Sequence, residues 1–199
     1  MPKTFLTADS HHGHANILDY CDRPFADVNE MDNELIHRWN EVVGPEDTVY
    51  HLGDFALGNA EEASCYFRRL NGKIHVLSYP WHHDYRWLPS PTQNMILGYV
   101  SASGHYVVME PPIVVLRLLH KTNKHHQTLT LCHFAMTVWP QSHYGSLHAF
   151  GHSHGRYKPN NRSIDVGVDC WNYAPVSLDA IVEILESREC AQSARTQEK

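Results

Sequence analysis

Over the first half of the chain, short apolar runs alternate with polar breaks, and the spacing inside the runs switches between two and about 3.6 residues. KTFLTA, from Lys3 to Ala8, predicts a strand that stops at Asp9. MDNELIHRWNEVVG sets Leu35, Ile36, Trp39, Val42 and Val43 at helical spacing and halts at Gly44-Pro45, which predicts a helix. DTVYHLGD predicts a second strand, AEEASCYFRRL a second helix, and GKIHVLSY a third strand running into PWHHD. Such β-α-β-α-β alternation builds parallel strands, and it leaves the polar residues of interest at strand C-termini.

After residue 94 the runs become strand-like: NMILGYV, HYVVME, PIVVLRLLH, QTLTLCHF, LHAFGHSH and SIDVGVD. HKTNKHH, at 120–126, predicts a hairpin turn with a solvated tip. SLDAIVEILES predicts a closing amphipathic helix with Ser177 as its N-cap. From Arg188 the composition turns polar, so the expectation is one domain over residues 1–187 and a frayed tail over 188–199.

Composition narrows the class. With 42% hydrophobic and 19% charged residues in 199, the chain is that of a globular domain with a sizeable core. A net charge of -6 argues against a surface that binds nucleic acid by phosphate neutralisation, so nucleic acid enters only as a substrate. Five scattered cysteines without a C-x-x-C pair argue against a disulfide framework or a zinc ribbon. The most apolar stretch, YVVMEPPIVVLRLLH, is interrupted by Glu110, Pro111, Pro112 and Arg117, which leaves no membrane span; a cytoplasmic protein is expected.

The first strand ends in LTADSHHGH, where three imidazoles and a carboxylate crowd a single loop. Among 17 histidines a lone D-x-H match carries little weight, and a metal site, a pH-sensitive loop and an accident are all open. The distribution is more telling. Asp9-Ser10-His11, Gly53-Asp54, His82-His83-Asp84, His133 and Gly151-His152-Ser153-His154 each follow a strand, and loops at strand ends can converge on one rim. Mixed carboxylate and imidazole donors suit Mn, Fe, Zn or Ni; six or seven of them suit two ions sharing a carboxylate.

The ordered set D-x-H, G-D, a histidine-aspartate pair, H and G-H-x-H over residues 9 to 154 resembles the signature of the calcineurin-like metallophosphoesterases, nearest to their small single-domain bacterial and phage members. The segments TADSHHGHANILDYCDRPF, PEDTVYHLGDF and VGVDCWNYAPVSL are similar to corresponding blocks of those proteins, so the resemblance spans nearly the whole chain. It implies an α/β fold, a four-layer αββα sandwich of two mixed sheets flanked by helices. It implies Asp9, His11 and His154 on one divalent metal, His133 and His152 on a second, and Asp54 bridging them. His83 would face the phosphate and protonate the leaving oxygen, with Asp84 orienting its ring, while a metal-bridging hydroxide attacks phosphorus in line. From the residues themselves, His14 and Arg23 are candidates to approach the substrate phosphate, with a hydrogen bond that supports a ligand as the alternative for His14 and a surface turn as the alternative for Arg23-Pro24.

One position departs from the pattern. The family has Gly-Asn-His-Asp where this chain has Trp81-His82-His83-Asp84. His82 is therefore expected to replace the asparagine ligand of the second metal, which makes that site softer. A small or accessible phosphate ester, more specifically a phosphodiester, is the expected substrate. A protein-binding scaffold without catalysis and a nuclease are the alternatives.

Overall fold

The computed structural model describes residues 1–79, 83–88, 95–118, 127–160 and 162–197; over 189–197 it describes the course of the helix but not the side chains. The chain enters through β1 (Thr4–Thr7), a four-residue helical turn α1 (Ile17–Tyr20) and α2 (Val28–Val42). Next come β2 (Thr48–His51), α3 (Ala60–Phe67) and β3 (Lys73–Leu77). Both longer helices are fixed by side-chain caps. Asp27 accepts from the N–H groups of Asn29 and Glu30, and Asn59 forms a capping box with Glu62; such caps contribute about 1 kcal/mol each.

β4 (Met95–Val100) and β5 (Tyr106–Glu110) complete this part, and β10 (Val176–Ser177) returns late in the chain to the far edge. The larger sheet has the order β10-β1-β2-β3-β5-β4, parallel from β1 to β5 and antiparallel at both edges. At Glu110-Pro111-Pro112 the ladder stops, because proline offers no N–H to a neighbouring strand. The chain crosses there into a second sheet of β6 (Ile113–Leu118), β7 (Gln127–Cys132), β8 (Leu147–Phe150) and β9 (Ser163–Asp165), in that order, with β6 antiparallel.

Alternating side chains load both faces of the larger sheet. Phe5, Val49, Ile74 and Val76 pack under Trp39 of α2 and Phe67 of α3. Leu6 and Leu77, with Leu52 just beyond β2, face Leu129, Leu131, Leu147 and Ala149 of the smaller sheet. Register then fixes the rim: Thr7 pairs with His51 and His51 with Val76, so the loops after β1, β2 and β3 leave the sheet at one level. Leu131 pairs with Ala149 and Ala149 with Ile164, which does the same for the smaller sheet.

The structure is thus mixed α/β, with two mixed sheets face to face. Two expectations change. α4 runs from Leu178 to Gln197, so helix continues through the segment expected to fray; RECAQSARTQ is polar but holds no glycine or proline to end a helix. α4 places Ile181 and Leu185 in the inter-sheet core and packs against β1, β10 and β9 rather than on the outside of the smaller sheet. Among the described residues that outer face is closed by a loop: Trp139 stacks on His148 at 5.3 Å, and the Met136 N–H donates to His148 Nε2. The expected hairpin at 120–126 lies outside the described residues. No helix among those described is long and apolar enough to cross a membrane.

Candidate metal centre

The loops at the rim are held together by backbone before any side chain is considered. Asp9 N–H donates to Gly53 O, His11 N–H to Asp54 O and His12 N–H to Phe55 O, at 3.1, 3.0 and 2.9 Å. The smaller sheet joins through the His152 N–H, which donates to Asp9 Oδ2 at 2.8 Å. Two glycines make room for that carboxylate. A Cβ on Gly151 would lie 2.8 Å from Asp9 Oδ2 and 2.5 Å from the Ala8 Cβ, and one on Gly167 would lie 2.6 Å from the same oxygen. Asp9, His11, Asp54, His152 and His154 all adopt left-handed backbone, with φ between 48° and 66°. Each such non-glycine residue costs about 1–3 kcal/mol, and strain of this kind collects where function holds it in place.

Two donor groups result. Asp9, His11 and His154 form one, and Asp54, His133 and His152 the other, with ligand atoms in each within 4.8 Å of one another. Asp54 stands between them: its Oδ2 is 3.6 Å from His11 Nε2 and 3.6 Å from His133 Nε2, while Oδ1 accepts the His83 backbone N–H at 3.0 Å. In each group one imidazole is oriented through its other nitrogen. His133 Nδ1 faces Leu52 O at 3.2 Å and His154 Nδ1 meets Asp169 Oδ2 at 2.7 Å, which turns Nε2 toward the centre.

The donors fit a cation. Asp9 Oδ1 and both ring nitrogens of His11 are buried without a hydrogen-bond partner among the described residues, an arrangement that costs several kcal/mol unless something else accepts their lone pairs. Burial, with Asp54 and Asp165 nearby, raises the Asp9 carboxyl well above its ordinary range. Burial, with Arg23 and neighbouring imidazoles, holds His11 well below its own, in the neutral form that ligation requires.

His83 follows β3 on a 3₁₀ turn and sets its ring 4.9 Å from His11 and 4.9 Å from His14. His14 is buried beside both, and burial first, then His83, lowers its pKa. His82 and Trp81 lie outside the described residues.

Two expected roles change. Arg23 cannot reach a substrate phosphate, because its whole guanidinium is engaged. Nε and Nη2 donate to Asp169 at 2.8 and 2.9 Å, Nη2 to Asp9 O, and Nη1 to Ser10 O and the Met31 sulfur. It braces the Asp9 loop from behind. Asp84 accepts the Phe55 and Ala56 N–H groups at 3.1 and 2.9 Å; its task is to pin the loop after Asp54 rather than to orient the His83 ring.

Three supporting carboxylates escaped the sequence reading. Asp169 orients His154 and, although burial opposes ionisation, His154 and Arg23 hold its pKa below the usual range. Asp165 accepts from Ser153 Oγ and from the Gly155 and Gly167 N–H groups, which shapes the loop carrying His152 and His154. Asp32 of α2 accepts from the Gly13 N–H and the Tyr66 hydroxyl and lies 3.1 Å from His12 Nδ1. Only SIDVGVD offered a signal, since it too carries aspartates past a strand end.

No family model matches the chain. It is 32% identical over 188 residues to the uncharacterized protein MJ1445 of Methanocaldococcus jannaschii, covering 94% of this chain and 93% of that one. It is 27% identical over 215 aligned positions to the gene 66 protein of Mycobacterium phage L5, with 93% and 95% covered. A crystal structure of a protein of unknown function from Aquifex aeolicus, AQ665, shares the fold at a TM-score of 0.65 and 18% identity, over 92% of this chain and 100% of that one.

Proposed function

The chain belongs to the same family as the Methanocaldococcus jannaschii protein, and from its own site we propose that it is a binuclear-metal phosphoesterase of the calcineurin-like kind, acting on small or accessible phosphodiesters. The observation that carries this reading is the place of Asp54, one carboxylate oxygen at equal reach of a histidine from each donor group. Asp9, His11 and His154 would hold one divalent ion and His133 and His152 the other, with Asp54 common to both. Ions held there would supply positive charge for the phosphoryl oxygens and lower the pKa of a water so that it can attack phosphorus.

The remaining work falls to side chains of the rim. His83 stands beside His11 with its backbone tied to Asp54, so its ring lies at the edge of the shared wall. A ring N–H there can donate to the oxygen that leaves with the alcohol. Asp84 fixes the Asp54 loop, and Arg23 with Asp169 fixes the Asp9 loop and the His154 ring. These contacts keep the donors in register as charge develops.

Hydrolysis of bis(p-nitrophenyl) phosphate tests the proposal. Protein stripped by a chelator should be inactive and regain turnover with Mn²⁺. Absence of hydrolysis by metal-loaded protein across phosphomonoesters and phosphodiesters would leave the fold as a binding scaffold.

A further inference from the structure

His11, His14 and His83 form a third group of facing donors, made of imidazoles alone, and the hydrolytic reading does not use it as a group. His11 and His14 are buried, and His14 Nδ1, like both ring nitrogens of His11, has no hydrogen-bond partner among the described residues. The ring centroids are separated by 4.9, 4.9 and 5.4 Å, with interplanar angles of 76°, 45° and 52°. The His11–His83 pair meets edge to face, while both pairs that involve His14 are tilted, neither stacked nor edge to face. Three imidazoles bound through nitrogen to one tetrahedral ion at about 2.0–2.1 Å fan around it, with centroids about 5 Å apart. The donor atoms already lie within 4.8 Å of one another, and modest rotations about the side-chain bonds would bring them to the roughly 3.4 Å that tetrahedral ligation needs.

We propose that His11, His14 and His83 constitute an alternative site, sharing His11 with the first donor group, for Zn²⁺ or a similarly imidazole-preferring cation. Three neutral nitrogens without a carboxylate discriminate strongly against Mn²⁺ and Mg²⁺, whereas the two carboxylate-bearing groups accept harder ions. Filling the site draws His11 away from Asp9 and His154 and removes His83 from proton donation. Excess zinc therefore inhibits the hydrolysis that Mn²⁺ supports. That inhibition rests on the phosphoesterase reading; the binding of zinc does not.

The test separates the two. In full-length protein carrying His152→Asn and His154→Asn, each carboxylate-bearing group loses one imidazole, and asparagine tolerates the left-handed backbone at both positions. Zn²⁺ affinity is measured there by competition with a chromophoric chelator, with circular dichroism to confirm folding. Adding His14→Gln should weaken zinc at least ~100-fold, the upper range for losing only an outer partner of a ligand, and His83→Gln, on the more exposed turn, should do the same if the first variant fails to fold. Zinc affinity unchanged by loss of His14 or His83 in folded protein overturns the site. Zinc that binds with this dependence in a protein that hydrolyses nothing upholds the site and removes only its inhibitory consequence.

Discussion

Arg23 and Asp169 stand 146 positions apart and meet through two parallel hydrogen bonds of 2.8 and 2.9 Å, from Nε to Oδ1 and from Nη2 to Oδ2. The pair ties the loop after β1 to the turn after β9, and through His154 it reaches the donor group itself. Breaking a buried pair strands the partner charge, so Arg23→Met should destabilise the protein by about 3–5 kcal/mol. Arg23→Lys should recover little, because an ammonium cannot reproduce the two parallel contacts. Urea denaturation checks both, and Arg23→Met combined with Asp169→Leu should restore part of the loss.

Asp9 should be a liability whenever no cation is present. Its folded pKa lies above the unfolded value of about 3.9. The contribution it makes to stability is therefore full below that value and is lost as pH rises through the folded pKa. At neutral pH, above the unfolded value, the stripped protein already carries a penalty. Asp9→Asn should then raise the stability of chelator-treated protein by at least ~1 kcal/mol, the worth of one pKa unit, while weakening the stabilisation that Mn²⁺ provides. Thermal unfolding with and without Mn²⁺ reads out both effects; a stripped variant less stable than its parent would contradict the account.

His83→Gln separates proton donation from metal holding. Esters with poor leaving groups should slow by about 10²–10⁴, whereas a nitrophenyl ester, whose alcohol departs without a proton, should change little. Mn²⁺ content measured on the same preparations should stay constant, since His83 belongs to neither carboxylate-bearing group. Equal slowing of both substrate types would remove His83 from the acid role.

His148 provides a pH effect away from the donor groups. Its Nδ1 lies 3.0 Å from Thr130 O and its Nε2 accepts from Met136, and burial lowers its pKa. The folded state thus prefers the neutral ring, and this stabilisation is complete above the unfolded pKa of about 6.5 and is lost as pH falls below it. Comparing denaturation at pH 7.5 and 5.5, the parent protein should lose more stability than His148→Gln, which cannot protonate.

Much of this was legible in the sequence. Leu6, Val49 and Val76 lie in runs whose periodicity is local, and Asp9, Asp54, His133 and His152 follow strand ends, which parallel pairing carries to one rim. Partnership between distant side chains is not local. Nothing in CDRPF says that Arg23 faces inward to Asp169, and nothing in MDNELIHRW says that Asp32 reaches across to Gly13 and Tyr66. Those contacts depend on how the helices and sheets dock. The length of α4 is hidden for another reason: polarity alone does not end a helix, and RECAQSARTQ holds no glycine or proline that would.

Neither sheet contains a complete carboxylate-bearing donor group. His154 comes to Asp9 and His11 from the smaller sheet, and Asp54 comes to His133 and His152 from the larger one. A chain that has formed only β1 to β5 presents half of each carboxylate-bearing group, too few ligands to retain its ion, so an ion of those two groups cannot seed folding and can only latch it once the sheets have closed. The leucines of the interface, Leu6, Leu77, Leu129 and Leu131, lie directly beneath the latch. Ion escape, parting of the sheets and exposure of a sticky apolar face would then be a single event, and the half-life of the bound ion would set the shelf life of the protein.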